Sequence, residues 1–133
     1  GAAFEKEFAE LLANMGFWVH CLRDNQNGQP FDVIAVRNGI AFAFDCKETS
    51  EHLFKLRRIE ENQWMAMKRW EDTGNHESSF FVIRFSLGRI WLLPFQKANE
   101  LLMQGKQSVS ELDMLANGIT FTHWRKNLEN YNQ

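Results

Sequence analysis

Residues 30–47 read Pro30-Phe31-Asp32-Val33-Ile34-Ala35-Val36-Arg37-Asn38-Gly39-Ile40-Ala41-Phe42-Ala43-Phe44-Asp45-Cys46-Lys47. Phe31 to Val36 is rich in β-formers, Ile40 to Lys47 is a second such run, and Asn38-Gly39 between them is the strongest two-residue hairpin signal. A two-residue turn there sets the register: Arg37 faces Ile40, Val36 faces Ala41, and Asp32 faces Asp45. Side chains alternate along a strand, so Lys47 shares the face of Asp45 while Cys46 points away. Directly opposed like charges destabilise a sheet. A divalent cation is the simplest compensation, and Mg²⁺ is held by one or two carboxylates with water and phosphate completing its shell. The plain alternative is a loop-capping Asp32 beside a surface Asp45–Lys47 ion pair.

Outward from this hairpin, Phe4 to Met15 carries Phe4, Phe8, Leu11, Leu12 and Met15 at helical spacing, with Gly16 as a stop. Residues 17–22 read as a strand and 23–30 as a polar loop. Beyond Ser50, a helix is expected over about residues 56–71, strands over 80–85 and 89–93, and a helix from Pro94 to about Gln104 ended by Gly105. Ser108 and Glu111 resemble a capping box for a last short helix. The expected order is α-β-β-β-α-β-β-α-α, one α/β domain over residues 1–133 with a central sheet.

Composition narrows the function. With 44% hydrophobic and 24% charged residues, the 133-residue chain is of ordinary globular type rather than disordered. It has neither a charged-then-apolar leader nor an apolar run of the ~20 residues that a membrane span needs. Two cysteines, Cys21 and Cys46, suit a reducing compartment, so a cytoplasmic location is expected. The net charge of −2 does not mark a basic nucleic-acid binder; for that partner, positive charge must be clustered. Such a cluster exists in Lys55, Arg57 and Arg58, with Lys68 and Arg69 on the following helix. It is either a solvated face or a cradle for a phosphate backbone, with Arg23 and the Asn25–Gly28 amides opposite.

Two further residues point toward the acidic hairpin. On a helical wheel, Glu5 falls ~20° beyond Leu12, at the margin of the apolar face. It is either a third carboxylate or a residue favourable to the helix dipole. Gln63 lies in the middle of the stripe formed by Ile59, Ala66, Met67 and Trp70. A buried amide needs partners, supplied by the backbone or by a site. The four histidines show no zinc spacing, and neither a Ser or Cys nucleophile motif nor a Gly-rich phosphate loop is present. Trp64 and the Phe80–Phe85 strand are candidates for a dimer interface.

Asp32, then Asp45-Cys46-Lys47, resembles the PD-(D/E)xK nuclease signature, and within it the Holliday-junction resolvases of the archaeal Hjc-like and bacterial RecU-like groups. Gly1, Glu5, Glu7, Phe8, Leu11, Leu12 and Gly16-Phe17 are similar to the Hjc-like first helix. Phe44-Asp45-Cys46-Lys47-Glu48-Thr49, Gln63, and Gly105-Lys106-Gln107-Ser108-Val109 with Glu111-Leu112 are similar to RecU-like segments. The resemblance implies a restriction-endonuclease-like fold, a central mixed β-sheet flanked by helices. It implies that Asp32, Asp45, the Cys46 carbonyl and Glu5 bind metal, that Lys47 positions the attacking water, and that Gln63 supports the site. The implied reaction is Mg²⁺-dependent hydrolysis of DNA phosphodiesters (Mn²⁺ substituting), leaving a 5′-phosphate, by a homodimer at a four-way junction. The chain departs from the pattern in three respects. Asp45 replaces the usual glutamate, the short 19–30 connection leaves no room for the RecU-like stalk, and the charge balance is acidic. A nuclease of the same fold acting on other DNA, and a non-catalytic DNA-binding module, stay open as alternatives.

Overall fold

The computed structural model describes residues 2–23 and 30–131. Helix α1 (Ala2–Ala13) is followed by strands β1 (Trp18–Cys21), β2 (Val33–Arg37), β3 (Ile40–Glu48) and β4 (Leu53–Lys55). A 3₁₀ turn at Leu56–Arg58 leads into α2 (Glu61–Asp72), then β5 (Ser79–Arg84), β6 (Ile90–Pro94) and α3 (Phe95–Met103). The chain continues through β7 (Ser108–Ser110), α4 (Glu111–Asn117), β8 (Ile119–Thr120) and α5 (Phe121–Tyr131).

The turn at Asn38-Gly39 sets the sheet. Both residues have positive φ, 53° and 78°, the condition of a type I′ hairpin that Asn and Gly meet with least strain. The register then runs as the sequence predicts, from Arg37↔Ile40 to Val33↔Phe44. Beyond that pair Asp32 leaves the regular ladder, though its N–H still donates to the Phe44 carbonyl at 3.0 Å. Six strands in the order β1-β2-β3-β5-β6-β8 form the main sheet, parallel only between β3 and β5. The expected mixed central sheet flanked by helices is thus the fold.

Strand alternation divides the core. Phe42, Phe44 and Cys46 of β3 face α1 and α5 with Phe4, Phe8, Phe121 and Trp124. Ala43 faces the opposite layer, with Met67 of α2, Ala98 of α3 and Met114 of α4. Asp45 and Lys47 therefore look toward α2 while Cys46 looks toward α1.

Several expectations change. The helix expected from Leu56 begins at Glu61, because Leu53–Lys55 pairs instead with Ser108–Ser110 as a separate two-stranded ribbon. Val109 and Phe54 are buried across that ribbon. The capping box is formed by Ser110 and Asp113, not Ser108 and Glu111: the Ser110 hydroxyl accepts from the Asp113 N–H at 3.2 Å, and the Ser110 N–H donates to Asp113 at 2.8 Å. Ser108 is committed to β7, and Glu111 pairs with Arg89 at 3.1 Å. The Phe80–Phe85 strand cannot serve as a dimer face, because β5 runs between β3 and β6 with Phe80–Ile83 and Phe85 buried. Trp64 packs edge-on against Phe81 of that strand at 5.1 Å. No helix among the described residues is long and apolar enough to cross a membrane.

Candidate active site

Asp45 projects from the middle of the sheet into the layer below α2 and has no exposed surface. Gln63, in the first turn of α2, meets it there: its amide Nε2 donates to Asp45 Oδ1 at 3.1 Å. Gln63 Oε1 accepts from Lys47 Nζ at 3.0 Å and from the Glu60 N–H at 3.0 Å. The second of these bonds satisfies one of the free amides at the helix N-terminus and fixes the side chain's direction. Lys47 Nζ also lies 3.3 Å from Asp45 Oδ2. That contact is an ion pair without hydrogen-bond alignment, so Oδ2 remains a buried oxygen with no hydrogen-bond donor.

Asp32 arrives from the other arm of the hairpin. Its Oδ2 accepts from the Cys46 N–H at 2.7 Å, and its carbonyl accepts from the Leu22 N–H at 2.8 Å. Burial raises the Asp45 carboxyl to about 7; the Lys47 charge opposes this shift and the Asp32 charge adds to it. Glu5, half-buried on α1, stands on the Cys46 side of β3. The thiols of Cys46 and Cys21 are both raised, first by burial, and the charges of Glu5 and Asp32 add to the shift.

The structure thus joins Asp45, Lys47 and Gln63 in one bonded cluster, holds Asp32 on the Cys46 N–H beside it, and sets Glu5 in the layer behind. The predicted basic residues fare unevenly. Arg23, Lys55 and Arg57 are exposed. Arg58 Nη1 donates to the Glu48 carbonyl at 2.8 Å, and its guanidinium lies 5.1 Å from the Phe54 ring centroid. Lys68 pairs with Asp72 at 2.6 Å on the exposed face of α2. The Asn25–Gly28 loop and Gly1 lie outside the described residues.

Arg84 is a residue that sequence reasoning passes over. It pairs with Glu48 at 2.6 Å and with Glu7 of α1, and lies 4.3 Å over the Phe4 ring. It fastens the helix carrying Glu5 to the end of the strand carrying Asp45 and Lys47. No local motif announces it, because its pairing with Glu48 comes from the parallel register of β3 and β5.

The donor set suits a divalent cation. Two carboxylates approach each other, one bearing a buried, donorless oxygen, next to a main-chain segment that offers a carbonyl, and hard oxygen ligands of this kind are what Mg²⁺ takes. Among the described residues, no group of three or more His, Cys, Asp or Glu side chains is arranged to hold a metal ion, so an ion here would rest on the Asp pair with main-chain and solvent oxygens.

Comparison with known proteins agrees with this fold. The structure of Hjc, a Holliday junction resolvase from the archaeal hyperthermophile Archaeoglobus fulgidus, matches with a TM-score of 0.70 at 15% identity, over 94% of this chain and 99% of that one. No curated protein matches the sequence. The family model described as Recombination protein U, RecU, matches residues 25–131. The chain belongs to the Recombination protein U family.

Proposed function

We propose that the chain is a metal-dependent endodeoxyribonuclease that resolves Holliday junctions by hydrolysing phosphodiesters in four-way DNA. The observation that carries this reading is the buried, donorless Asp45 Oδ2 between Lys47 and Asp32. It is supported by family membership and by the shared fold with Hjc, itself a Holliday junction resolvase.

Asp32 and Asp45 would hold the ion with the Cys46 carbonyl, and Glu5 would contribute through water. The proposed ion is Mg²⁺, for which Mn²⁺ substitutes. When bound, it supplies positive charge against the phosphate and a bound water of lowered pKa. The chain's own residues do the rest. Gln63 orients Asp45 through one amide atom and Lys47 through the other. An ammonium has three donors. Lys47 directs one of them at Gln63 Oε1 and pairs with Asp45 without an aligned hydrogen bond, which leaves a donor to hold the attacking water. Arg23, Lys55, Arg57, Arg58 and Lys68 form the proposed contacts to the DNA backbone. A four-way junction presents two equivalent strands to a protein with one site per chain, so a homodimer acting in the cytoplasm is proposed, as one domain per copy.

Strand cleavage of an end-labelled four-way junction beside its matched duplex tests this. Paired, symmetric, Mg²⁺-dependent nicks confined to the junction are expected. Equal cutting of duplex would discard the junction specificity, and binding with no cutting in Mg²⁺ or Mn²⁺ would discard the nuclease.

A further inference from the structure

A cleft of about 600 Å³ is walled by the β4–β7 ribbon, the 3₁₀ turn and helices α2 and α3. Lys55, Arg57 and Lys106 line it, with Gln107, Ser108 and Trp64, and no carboxylate is among its lining residues. In a chain of net charge −2, three cations around one acid-free cleft are a local reversal of sign. Lys55 and Arg57 are exposed and have no carboxylate partner among the described residues. Lys106 has one, Asp113 at 3.3 Å, but the two side chains are 44% and 26% exposed. A solvated pair of this kind is weak enough for a phosphate to displace Asp113.

The walls are fixed rather than loose. Phe54 and Val109 anchor the two ribbon strands in the core, and the Leu56 N–H donates to the Gln107 carbonyl at 2.9 Å. The cleft also shares structural elements with the site. Trp64 adjoins Gln63 on α2, and the bond from Arg58 to the Glu48 carbonyl ties the 3₁₀ turn to β3 one residue beyond Lys47. Three cations, a hydroxyl and an amide on a rigid wall match the oxygens of successive phosphates.

We propose that this cleft seats the DNA sugar–phosphate backbone flanking the scissile phosphate, with Lys106, Gln107 and Ser108 of the ribbon as contacts facing Lys55 and Arg57. The inference rests on the nuclease reading and adds the ribbon as a second wall of the DNA path.

The test is equilibrium binding of wild type, Lys106→Gln and Lys55→Gln/Lys106→Gln to a labelled four-way junction in chelator, across a salt series. Each lost phosphate contact lowers the slope of log K against log salt by about 0.9, equivalent to about eightfold weaker binding at 0.1 M salt. The single variant should show one such step and the double variant two. Asp113→Asn breaks the same ion pair from its other side, so a merely structural role for Lys106 predicts that it weakens binding alike. The cleft predicts equal or tighter binding. Wild type that binds while both lysine variants keep its affinity and slope overturns the cleft and leaves the nuclease standing. Wild type that binds neither junction nor duplex at low salt overturns both.

Discussion

Asp45 and Lys47 show how much of the proposed chemistry depends on placing single groups. A carboxyl raised to about 7 mainly by burial is ionised in the unfolded chain from about pH 4 upward, but in the folded chain only near neutrality. Between those values the folded state binds the extra proton, so this group lowers stability as pH rises and its cost levels off above about 7. In the metal-free protein, Asp45→Asn is therefore expected to raise Tm at pH 8 by several degrees, at about 3–5 °C per kcal/mol relieved. The gain should shrink toward pH 4, and thermal melts of both proteins across that range check it. Added Mg²⁺ should raise the Tm of wild type and leave that of Asp45→Asn unmoved, since only a native state that binds the ion is stabilised. Lys47→Ala is expected to lower single-turnover cleavage about 10²–10⁴-fold while junction affinity changes little, because an ammonium that positions water acts on the transition state. Equal losses in rate and affinity would make Lys47 a DNA contact instead.

At the scale of elements, the hairpin transmits the turn to the site. Gly39 has φ of +78°, and a β-branched residue there costs about 1–2 kcal/mol. Gly39→Val should lower the unfolding free energy measured by denaturant titration by that amount and also slow cleavage, although it lies at the far end of both strands from Asp32 and Asp45. The same hairpin explains what was legible in the sequence. Asn38-Gly39 dictates a register that carries as far as Val33↔Phe44, and alternation alone then assigns Asp45 and Lys47 to one face and Cys46 to the other. Gln63 was legible as a polar residue in an apolar stripe, though its side-chain partners Asp45 and Lys47 were not. The ribbon was illegible because its strands have three residues each, too few for a period to show, and because residue 54 pairs with residue 109. Helix α5 escaped notice for a related reason: only Phe121, Trp124 and Leu128 mark its buried face, in a segment otherwise polar. The capping box falls two residues beyond its sequence match because Ser108 and Ser110 are separated by one residue, and only the pairing with β4 decides which of them starts the helix.

For the whole molecule, the net charge of −2 and a DNA substrate are reconciled by where the cations stand. Arg58, Lys68, Arg84 and Arg89 are held by carbonyl or carboxylate partners, whereas Lys55 and Arg57 are left to face an acid-free cleft. The two layers meet at the sheet's central parallel pair: α2 brings Gln63 from one side, and α1, locked by Arg84, brings Glu5 from the other. The measurement that tests this account most directly is single-turnover cleavage of a four-way junction by wild type and Asp45→Asn in Mg²⁺, with thermal melts showing both folded. Symmetric nicking by wild type and its loss in the folded variant are expected. Unchanged nicking by Asp45→Asn would contradict the site proposed here.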